Sequence, residues 1–169
     1  MTRTHTVIDS MLGPLTIVAE DGQIRCLYMD LQRHRPADAE LGEPEPRGRD
    51  AEPFRAAAEQ IDAYFAGELT TFDLPLAPRG SEFQLRVWTA LRDIPYGRTE
   101  SYGDLAKRIG SPGAARAVGL ANGKNPIGIV IPCHRVVGSN GSLTGYGGGL
   151  DRKRRLLDLE LAVSGAALF

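Results

Sequence analysis

Apolar and polar residues alternate over the first thirty positions, and this pattern constrains the fold most strongly. The alternating stretches are His5 to Asp9, Leu15 to Ala19 and Ile24 to Met29. Gly13-Pro14 and Asp21-Gly22 separate them, and Asp-Gly between two such runs is a strong hairpin signal. The sequence therefore predicts a three-stranded antiparallel meander.

The next fifty residues predict a loop, a helix and a linker. Residues 31–50 are polar and rich in proline and glycine, so we expect a mobile loop without a packed element. A helix is predicted from Glu52 to Ala66, with Gly67 as its stop. Pro75 and Pro78 interrupt residues 70–80, which we expect to be extended. The apolar residues at helical spacing are Phe54, Ala58, Ile61 and Phe65.

Charge divides the chain at the same linker. Residues 1–79 contain 8 Lys and Arg against 14 Asp and Glu, whereas residues 80–169 contain 12 against 7. A basic half indicates a localised anionic partner, most simply nucleic acid, although chance segregation of solvated charge gives the same count. We predict a structural domain at 1–79 and a second domain at 80–169.

The second half reads as helices joined by short turns. Ser81 to Gln84 fits a capping box that opens a helix. Ser101 and Asp104 predict a short helix to about Ile109, and a further helix is expected from Ala114 to Asn122. This pair is a helix-turn-helix candidate. With a closing helix from Leu150 to Val163, the predicted fold class is α/β of the α+β type: a small antiparallel sheet with a covering helix, then a mostly helical domain with an active-site loop.

The second helix of the candidate pair is built from small residues. Ala115, Ala117 and Gly119 leave a bare surface from which Arg116 projects. Such a face can approach another macromolecule closely. Close helix packing with a solvated Arg116 is the alternative.

The segment Ile131-Pro132-Cys133-His134-Arg135-Val136 is the strongest chemical signal. It follows Ile127 to Ile131, an apolar run that predicts a buried strand or extended segment. Thiolate is the nucleophilic form of cysteine, and neighbouring cationic or basic groups favour it. Neighbours on a strand point apart, so Cys133 and His134 can cooperate only through irregular backbone or a bridging water. A buried structural cysteine is the alternative, and zinc is disfavoured because too few ligands are available.

Two further elements follow this segment. Residues 144–149 form a glycine-rich loop in which Tyr146 offers a ring face and a hydroxyl. The closing helix carries Glu160, which orients an imidazole only if His134 is its partner.

The sequence contains neither a secretory signal nor a long apolar run. Cys26 and Cys133 lie far apart, so a disulfide between them is the less favoured interpretation. We therefore expect a cytoplasmic protein that does not enter a membrane.

These residues together resemble the O6-alkylguanine-DNA alkyltransferase family. The resemblance is specific from about Ser81 to Glu160, and the first half matches only in its strand–helix layout. The matching features are residues 131–136, Tyr102, Arg116, Asn125-Pro126, the Tyr146 loop and Glu160.

The resemblance implies that Cys133 accepts an alkyl group from DNA once and irreversibly, without a cofactor or metal. His134 would activate Cys133 through a water, Glu160 would orient His134, and Asn125 would support the surrounding turn. A thioether is not hydrolysed under ordinary conditions, so one molecule would repair one lesion.

The resemblance also implies that the partner is double-stranded DNA containing O6-alkylguanine. The protein would be a monomer in solution and would bind this DNA from the minor groove. Tyr102 would contact the flipped base, and Arg116 would enter the stack that the base leaves. Residues lining the base pocket would be Tyr146, Gly147 and Gly148, and those facing the groove Ala115, Ala117 and Gly119. O4-alkylthymine is expected as a second substrate, and cooperative binding is left open.

The sequence departs from some family members at Gly147, where others have serine, so a hydroxyl contact to O6 is in doubt there. The zinc site of some relatives is not supported, because Cys26, His5 and His34 lack a ligand set. Three rival functions are kept: a damage sensor without chemistry, a cysteine hydrolase or acyltransferase using Cys133, and a helix-turn-helix regulator.

Overall fold

The computed structural model describes residues 2–33 and 36–166. His34 lies outside these ranges, so the expectation that it lacks a zinc ligand set cannot be compared with the structure. The chain divides into two compact units, residues 1–79 and residues 80–169. No described helix is both long and apolar enough to cross a membrane.

The first unit is built on a four-stranded sheet. Its strands are β1 (Arg3–Ile8), β2 (Leu15–Glu20), β3 (Gln23–Met29) and β4 (Glu43–Pro44), in the order β3-β2-β1-β4. The β1–β2 and β2–β3 pairs are antiparallel, which confirms the predicted meander. Leu15, Ile17 and Ala19 alternate along β2 and are buried. Side chains on one face of a strand recur every second residue, so these three project from the same face.

The prediction that residues 31–50 hold no packed element is wrong. β4 runs parallel to β1, and two 3₁₀ turns flank it at Asp38–Leu41 and Gly48–Asp50. The edge of β1 supplies the partners: the Glu45 amide donates to the His5 carbonyl at 2.8 Å. Leu41 is buried despite its polar surroundings. Tertiary pairing with an open sheet edge thus overrides local composition. Mobility of the segment stays a prediction.

Helix α1 (Phe54–Phe65) completes the first unit. Its buried face includes Phe54, Ala58 and Ile61, as predicted. The last buried residue of this face is Tyr64, whereas Phe65, which was predicted to be buried, is only half-buried. The helix ends before Gly67, which adopts φ +77°, a left-handed conformation that glycine tolerates at a helix end.

The described residues of the second unit form four α-helices: α2 (Glu82–Leu91), α3 (Tyr102–Arg108), α4 (Ala115–Gly123) and α5 (Leu150–Ala166). The predicted capping box is present, since Ser81 Oγ accepts from the Gln84 amide at 3.1 Å and Gln84 Oε1 accepts from the Ser81 amide at 2.9 Å. Ser101 Oγ caps α3 through the Asp104 amide. Helices α3 and α4 pack together as the helix-turn-helix pair.

A short parallel pair joins distant parts of this unit. Strand β5 (Glu100–Ser101) precedes α3, and strand β6 (Val136–Val137) follows the reactive segment. The pairing therefore fixes the reactive segment beside the start of the helix-turn-helix.

The prediction of a strand or extended segment over Ile127–Ile131 is wrong. The segment is buried but folds into a tight turn, closed by the Ile131 amide donating to the Ile127 carbonyl at 3.0 Å. Ile129 adopts φ +70°, which a β-branched residue rarely does and which costs about 1–3 kcal/mol. Side-chain hydrogen bonds from Asn125, described below, hold this turn and account for the departure from strand.

Candidate active site

Cys133 lies at the start of a 3₁₀ turn, Cys133–Arg135, that leads directly into β6. The Arg135 amide closes the turn on the Pro132 carbonyl at 3.0 Å, and Pro132 has ψ 64°. This is the irregular backbone that cooperation between Cys133 and His134 requires. All three residues of the turn are buried, with Cys133 6% exposed.

Two asparagines hold the backbone around the thiol. Asn125 donates to the Ile131 carbonyl at 2.8 Å and accepts from the Ile127 amide at 3.0 Å. Asn122, at the end of α4, donates to the Cys133 carbonyl at 3.2 Å. The contacts of Asn125 match the supporting position expected for it. Asn122 was not among the predicted site residues, although it precedes Asn125 by one helical turn.

His134 and Glu160 form the expected pair. His134 Nε2 donates to Glu160 Oε2 at 2.6 Å, and both side chains are fully buried. Burial would raise the pKa of Glu160, but the hydrogen bonds and charges of His134 and Arg135 outweigh it and lower that pKa to about 2. Burial lowers the pKa of His134 below 6.5 despite the carboxylate. An ionised Glu160 therefore faces a neutral imidazole with its proton on Nε2.

The other imidazole nitrogen is left as an acceptor. His134 Nδ1 is buried and has no hydrogen-bond partner in the described part of the chain. Because Nε2 carries the ring proton, Nδ1 presents a lone pair. The turn thus supplies a base next to the thiol residue.

Burial keeps the Cys133 thiol protonated at rest. It raises the thiol's pKa, and the Asn125 side chain and the charge of Lys153 offset this only in part. Thiols buried in apolar surroundings are poor nucleophiles. Reaction at Cys133 therefore requires removal of a proton at the site.

Lys153, like Asn122, is a site residue that sequence reasoning missed. It belongs to the basic run 152–155, yet its side chain is 0% exposed. Its Nζ donates to the carbonyls of Val136 and Thr144, each at 2.6 Å. Burial lowers its pKa to about 8, and the nearby Cys133 opposes that shift. The sequence signal that could have identified Lys153 is its spacing, because Lys153, Leu156 and Glu160 recur at helical intervals on one face of α5.

The Lys153 contact fastens the glycine-rich loop. Thr144 Oγ1 also donates to the Tyr102 hydroxyl at 3.1 Å, which ties the same loop to α3. The Tyr146 hydroxyl is buried without a hydrogen-bond partner among the described residues, and burial followed by the charge of Cys133 raises its pKa. Tyr102 thus contacts the loop that carries Tyr146, and the contacts of both tyrosines with a base stay predictions. Gly147 and Gly148 are half-buried.

Arg116 lies outside this cluster. It is exposed on α4 with Ala115 and Ala117, and no hydrogen bond or ion pair joins it to a described residue. Gly119 faces Tyr102: a Cβ atom placed there would lie 3.7 Å from the tyrosine ring. The opposite side of α4 is anchored by Trp88, whose indole donates to the Ala121 carbonyl at 2.8 Å. In the free protein α4 packs against α2 and α3 while Arg116 stays exposed, which is the arrangement of the alternative; the DNA contact of Arg116 stays a prediction.

Among residues 2–33 and 36–166, no three His, Cys, Asp or Glu side chains are grouped closely enough to hold a metal ion. Cys26 and His5 are therefore not part of such a group within the described chain. Cys26 is a free thiol, and burial raises its pKa.

Comparisons with known proteins cover both units. Residues 4–78 match the family described as 6-O-methylguanine DNA methyltransferase, ribonuclease-like domain. Residues 82–162 match the family described as 6-O-methylguanine DNA methyltransferase, DNA binding domain.

Relatives that match nearly the whole chain belong to the same family. The chain is 56% identical to a methylated-DNA–protein-cysteine methyltransferase of Mycolicibacterium paratuberculosis, over 97% of this chain and 96% of that protein. It is 47% identical to one from Methanosarcina acetivorans, over 92% and 97%. The crystal structure of Mycobacterium tuberculosis OGT in complex with DNA matches with a TM-score of 0.87 and 52% identity, over 95% of this chain and 94% of that chain. The chain belongs to the methylated-DNA–protein-cysteine methyltransferase family.

Proposed function

We propose that this chain repairs DNA by direct reversal, moving the alkyl group of O6-alkylguanine onto Cys133 in a single irreversible event. The observation that carries the proposal is the buried 3₁₀ turn in which Cys133 directly precedes a neutral His134 held by Glu160. Methylated DNA is the donor named for the relatives. O4-alkylthymine is proposed as a second substrate.

The proton of the thiol leaves first. Because the pKa of Cys133 is raised by burial, the thiol needs a base, and the unpartnered lone pair of His134 Nδ1 supports that role. We assign the transfer to one bridging water. Glu160 holds the imidazole with Nδ1 free, and the Lys153 charge stabilises the thiolate once it forms.

The thiolate then attacks the alkyl carbon in line. The S–C bond forms, the C–O6 bond breaks, and its electron pair passes to the guanine. The guanine takes up a proton from water on a ring nitrogen, and the His134 imidazolium releases to water the proton that it took from the thiol. The buried Tyr146 hydroxyl and the backbone of Gly147 and Gly148 are proposed to meet O6. Tyr102 is proposed to reach N3 of the same base. The thioether product has no route back to thiol, so the protein acts once.

The alkyl group cannot be reached inside a duplex, so the base must be flipped out, at a cost of a few kcal/mol. We propose that α4 enters the minor groove and that Arg116 fills the gap in the stack. Its exposed position among the small residues Ala115, Ala117 and Gly119 supports close approach. Contacts there read little sequence, which suits a search for damage.

The two units then have different tasks. We propose that residues 80–169 bind DNA and accept the alkyl group, and that residues 1–79 have a structural role. A monomer in solution and a cytoplasmic location are proposed with this assignment, since the cytoplasm keeps thiols reduced.

Titration with excess lesion tests the proposal. Duplex carrying one O6-methylguanine is mixed at several-fold excess over protein, and the remaining lesion is counted after the reaction stops. We expect lesion loss equal to the protein added, with Cys26→Ser unchanged and Cys133→Ser inactive. Continued turnover would contradict suicide transfer. Lesion binding without lesion loss would indicate a sensor, and sequence-selective binding that survives in Cys133→Ser would indicate a regulator.

A further inference from the structure

Two cationic or proton-bearing side chains compete for the Glu160 carboxylate. His134 Nε2 donates to Oε2 at 2.6 Å. Arg135 holds the same group in a fork, with Nε donating to Oε1 at 2.8 Å and Nη2 donating to Oε2 at 3.0 Å. The Gly97 amide also donates to Oε1, at 3.2 Å. His134 therefore shares its orienting carboxylate with a permanent cation.

Arg135 keeps its place without help from His134. Its third donor, Nη1, binds the Ile94 carbonyl at 2.7 Å, and its Cζ lies 5.6 Å from the centre of the Tyr96 ring. Arg135 is 6% exposed, so its guanidinium is largely shielded from solvent. A fixed positive charge therefore remains beside Glu160 whatever the protonation state of the imidazole.

The charges around His134 determine the free energy of protonating its ring at Nδ1. Helix α5 contributes the Glu160 carboxylate and the Lys153 amine, and the 3₁₀ turn contributes Arg135. Tyr96 faces the Glu160–Arg135 pair from the turn after α2. Glu160 and Arg135 already cancel, so an imidazolium would add an uncompensated buried charge next to two cations. Without Arg135 the same carboxylate would pair with the imidazolium.

We propose that Arg135 is a positioning residue that, by claiming Glu160 in a bidentate ion pair, keeps the His134 imidazole neutral and ready to take the Cys133 proton. The inference rests on the proposed function, in which His134 is the proton acceptor. It gives Arg135 a task beyond packing: the carboxylate orients the ring, and the guanidinium prevents that carboxylate from making the ring a permanent cation. Once guanine has taken up its proton, the same charge favours return of the imidazole to its neutral form.

The test has two readouts, one independent of repair. The first is the pKa of the His134 ring by NMR in the intact protein, with the three histidines of the chain assigned by His5→Gln and His34→Gln. The second is the single-turnover rate of methyl transfer from O6-methylguanine duplex as a function of pH. Both are measured for the wild type, Arg135→Gln, Arg135→Lys and Arg108→Gln.

Arg108 is the matched control. It also holds a carboxylate in a fork, with Nε donating to Glu100 Oε2 at 3.0 Å and Nη2 to Oε1 at 2.8 Å, and it also binds a backbone carbonyl, that of Ala90. Its carboxylate has no histidine partner in the described chain. Loss of this pair reports the general effect of breaking an Arg–Glu fork in the second unit.

We expect a neutral ring with its proton on Nε2 in the wild type at pH 7. In Arg135→Gln, the ring titration and the acid limb of the rate profile move up together by about one pH unit or more. Arg135→Lys restores most of this shift, and Arg108→Gln causes none. A rate lowered equally at all pH values, with the ring titration unmoved, would overturn the inference. So would an imidazolium in the wild type at pH 7, a result that needs no variant to fold. A wild type that fails to transfer methyl would refute the proposed function while the ring titration still tests Arg135.

Discussion

The Nζ atom of Lys153 lies 2.6 Å from the carbonyl oxygen of Thr144, so a buried amine on α5 fastens the glycine-rich loop. The same amine donates to the Val136 carbonyl in β6. One side chain thus joins the loop that carries Tyr146 to the strand that follows Cys133, and it adds a positive charge that the thiolate can use.

Replacement of Lys153 by methionine is expected to damage both stability and chemistry. Methionine fills similar space but removes the Lys153 donor from the buried Val136 carbonyl and from the partly buried Thr144 carbonyl, which costs about 1–3 kcal/mol in free energy of unfolding. Loss of the charge also disfavours the thiolate, so the rate of methyl transfer falls. Urea unfolding and single-turnover rates measure the two effects. Arg154→Met, at an exposed position of the same run, should change neither; an equal loss there would contradict this role for Lys153.

Removal of the Arg116 side chain tests the proposed base flipping separately from alkyl transfer. Arg116→Ala should lower the rate on duplex O6-methylguanine about tenfold or more, because nothing offsets the cost of unstacking. The rate on a free O6-alkylguanine base should stay the same, because no base has to be flipped. Arg92→Ala removes another exposed cation of the same unit and should leave both rates nearly unchanged. An Arg116→Ala protein that is equally slow on both substrates would place Arg116 in the chemistry instead.

The turn before Cys133 should depend on Asn125. Its side chain holds the Ile131 carbonyl and the Ile127 amide, both buried, and Ile129 in that turn is strained. Asn125→Ala is expected to lower the free energy of unfolding by about 2 kcal/mol or more and the melting temperature with it. Asn140 makes a comparable bond to the Ser142 amide at an exposed turn. Thermal melts of the two alanine variants compare them, and equal melting temperatures would contradict the prediction.

Acid stability should reflect the Glu160 carboxylate. Its pKa is about 2 in the folded protein against an ordinary 4.5, so the folded state binds the proton less readily than the unfolded chain. The resulting stability is present above about pH 4.5 and is lost as pH falls through about 2, for about 3 kcal/mol in total. Unfolding by urea across this range should show the loss.

Glu160→Gln should flatten that pH dependence and also lower stability at pH 7, because Arg135 is left buried without its counter-charge. Glu59, an exposed carboxylate paired with Arg55, provides the control: Glu59→Gln should follow the wild-type curve. A Glu160→Gln protein that keeps the wild-type slope between pH 4.5 and 2 would show that other groups cause the acid loss.

The sequence correctly predicted the elements that depend only on neighbouring residues. The Asp21-Gly22 hairpin and the Ser81 capping box depend on a few neighbouring residues, and both are present. β4 was missed because a two-residue strand in a polar segment exists only through the open edge of β1. The tight turn at Ile127–Ile131 was missed because apolar β-branched residues favour a strand unless a side chain such as Asn125 closes the turn.

The site residues also divide into those that a local motif reveals and those that only the structure reveals. The Cys133-His134 pair is visible in one motif, and Glu160 could be placed beside it through the resemblance. Lys153 was hidden within a run of four cations, where solvation is the usual fate, and only the burial of one face of α5 distinguishes it. The competition between Arg135 and His134 for Glu160 requires coordinates, because it depends on which carboxylate oxygen each group reaches.

The central claim is that Cys133 receives the alkyl group, and peptide mass spectrometry tests it most directly. The protein is mixed with an equimolar duplex containing one O6-methylguanine, digested, and both cysteine peptides are weighed. The account predicts one added methyl group on the Cys133 peptide and none on the Cys26 peptide. Lesion loss with an unmodified Cys133, or a methyl group found on another residue, would contradict it.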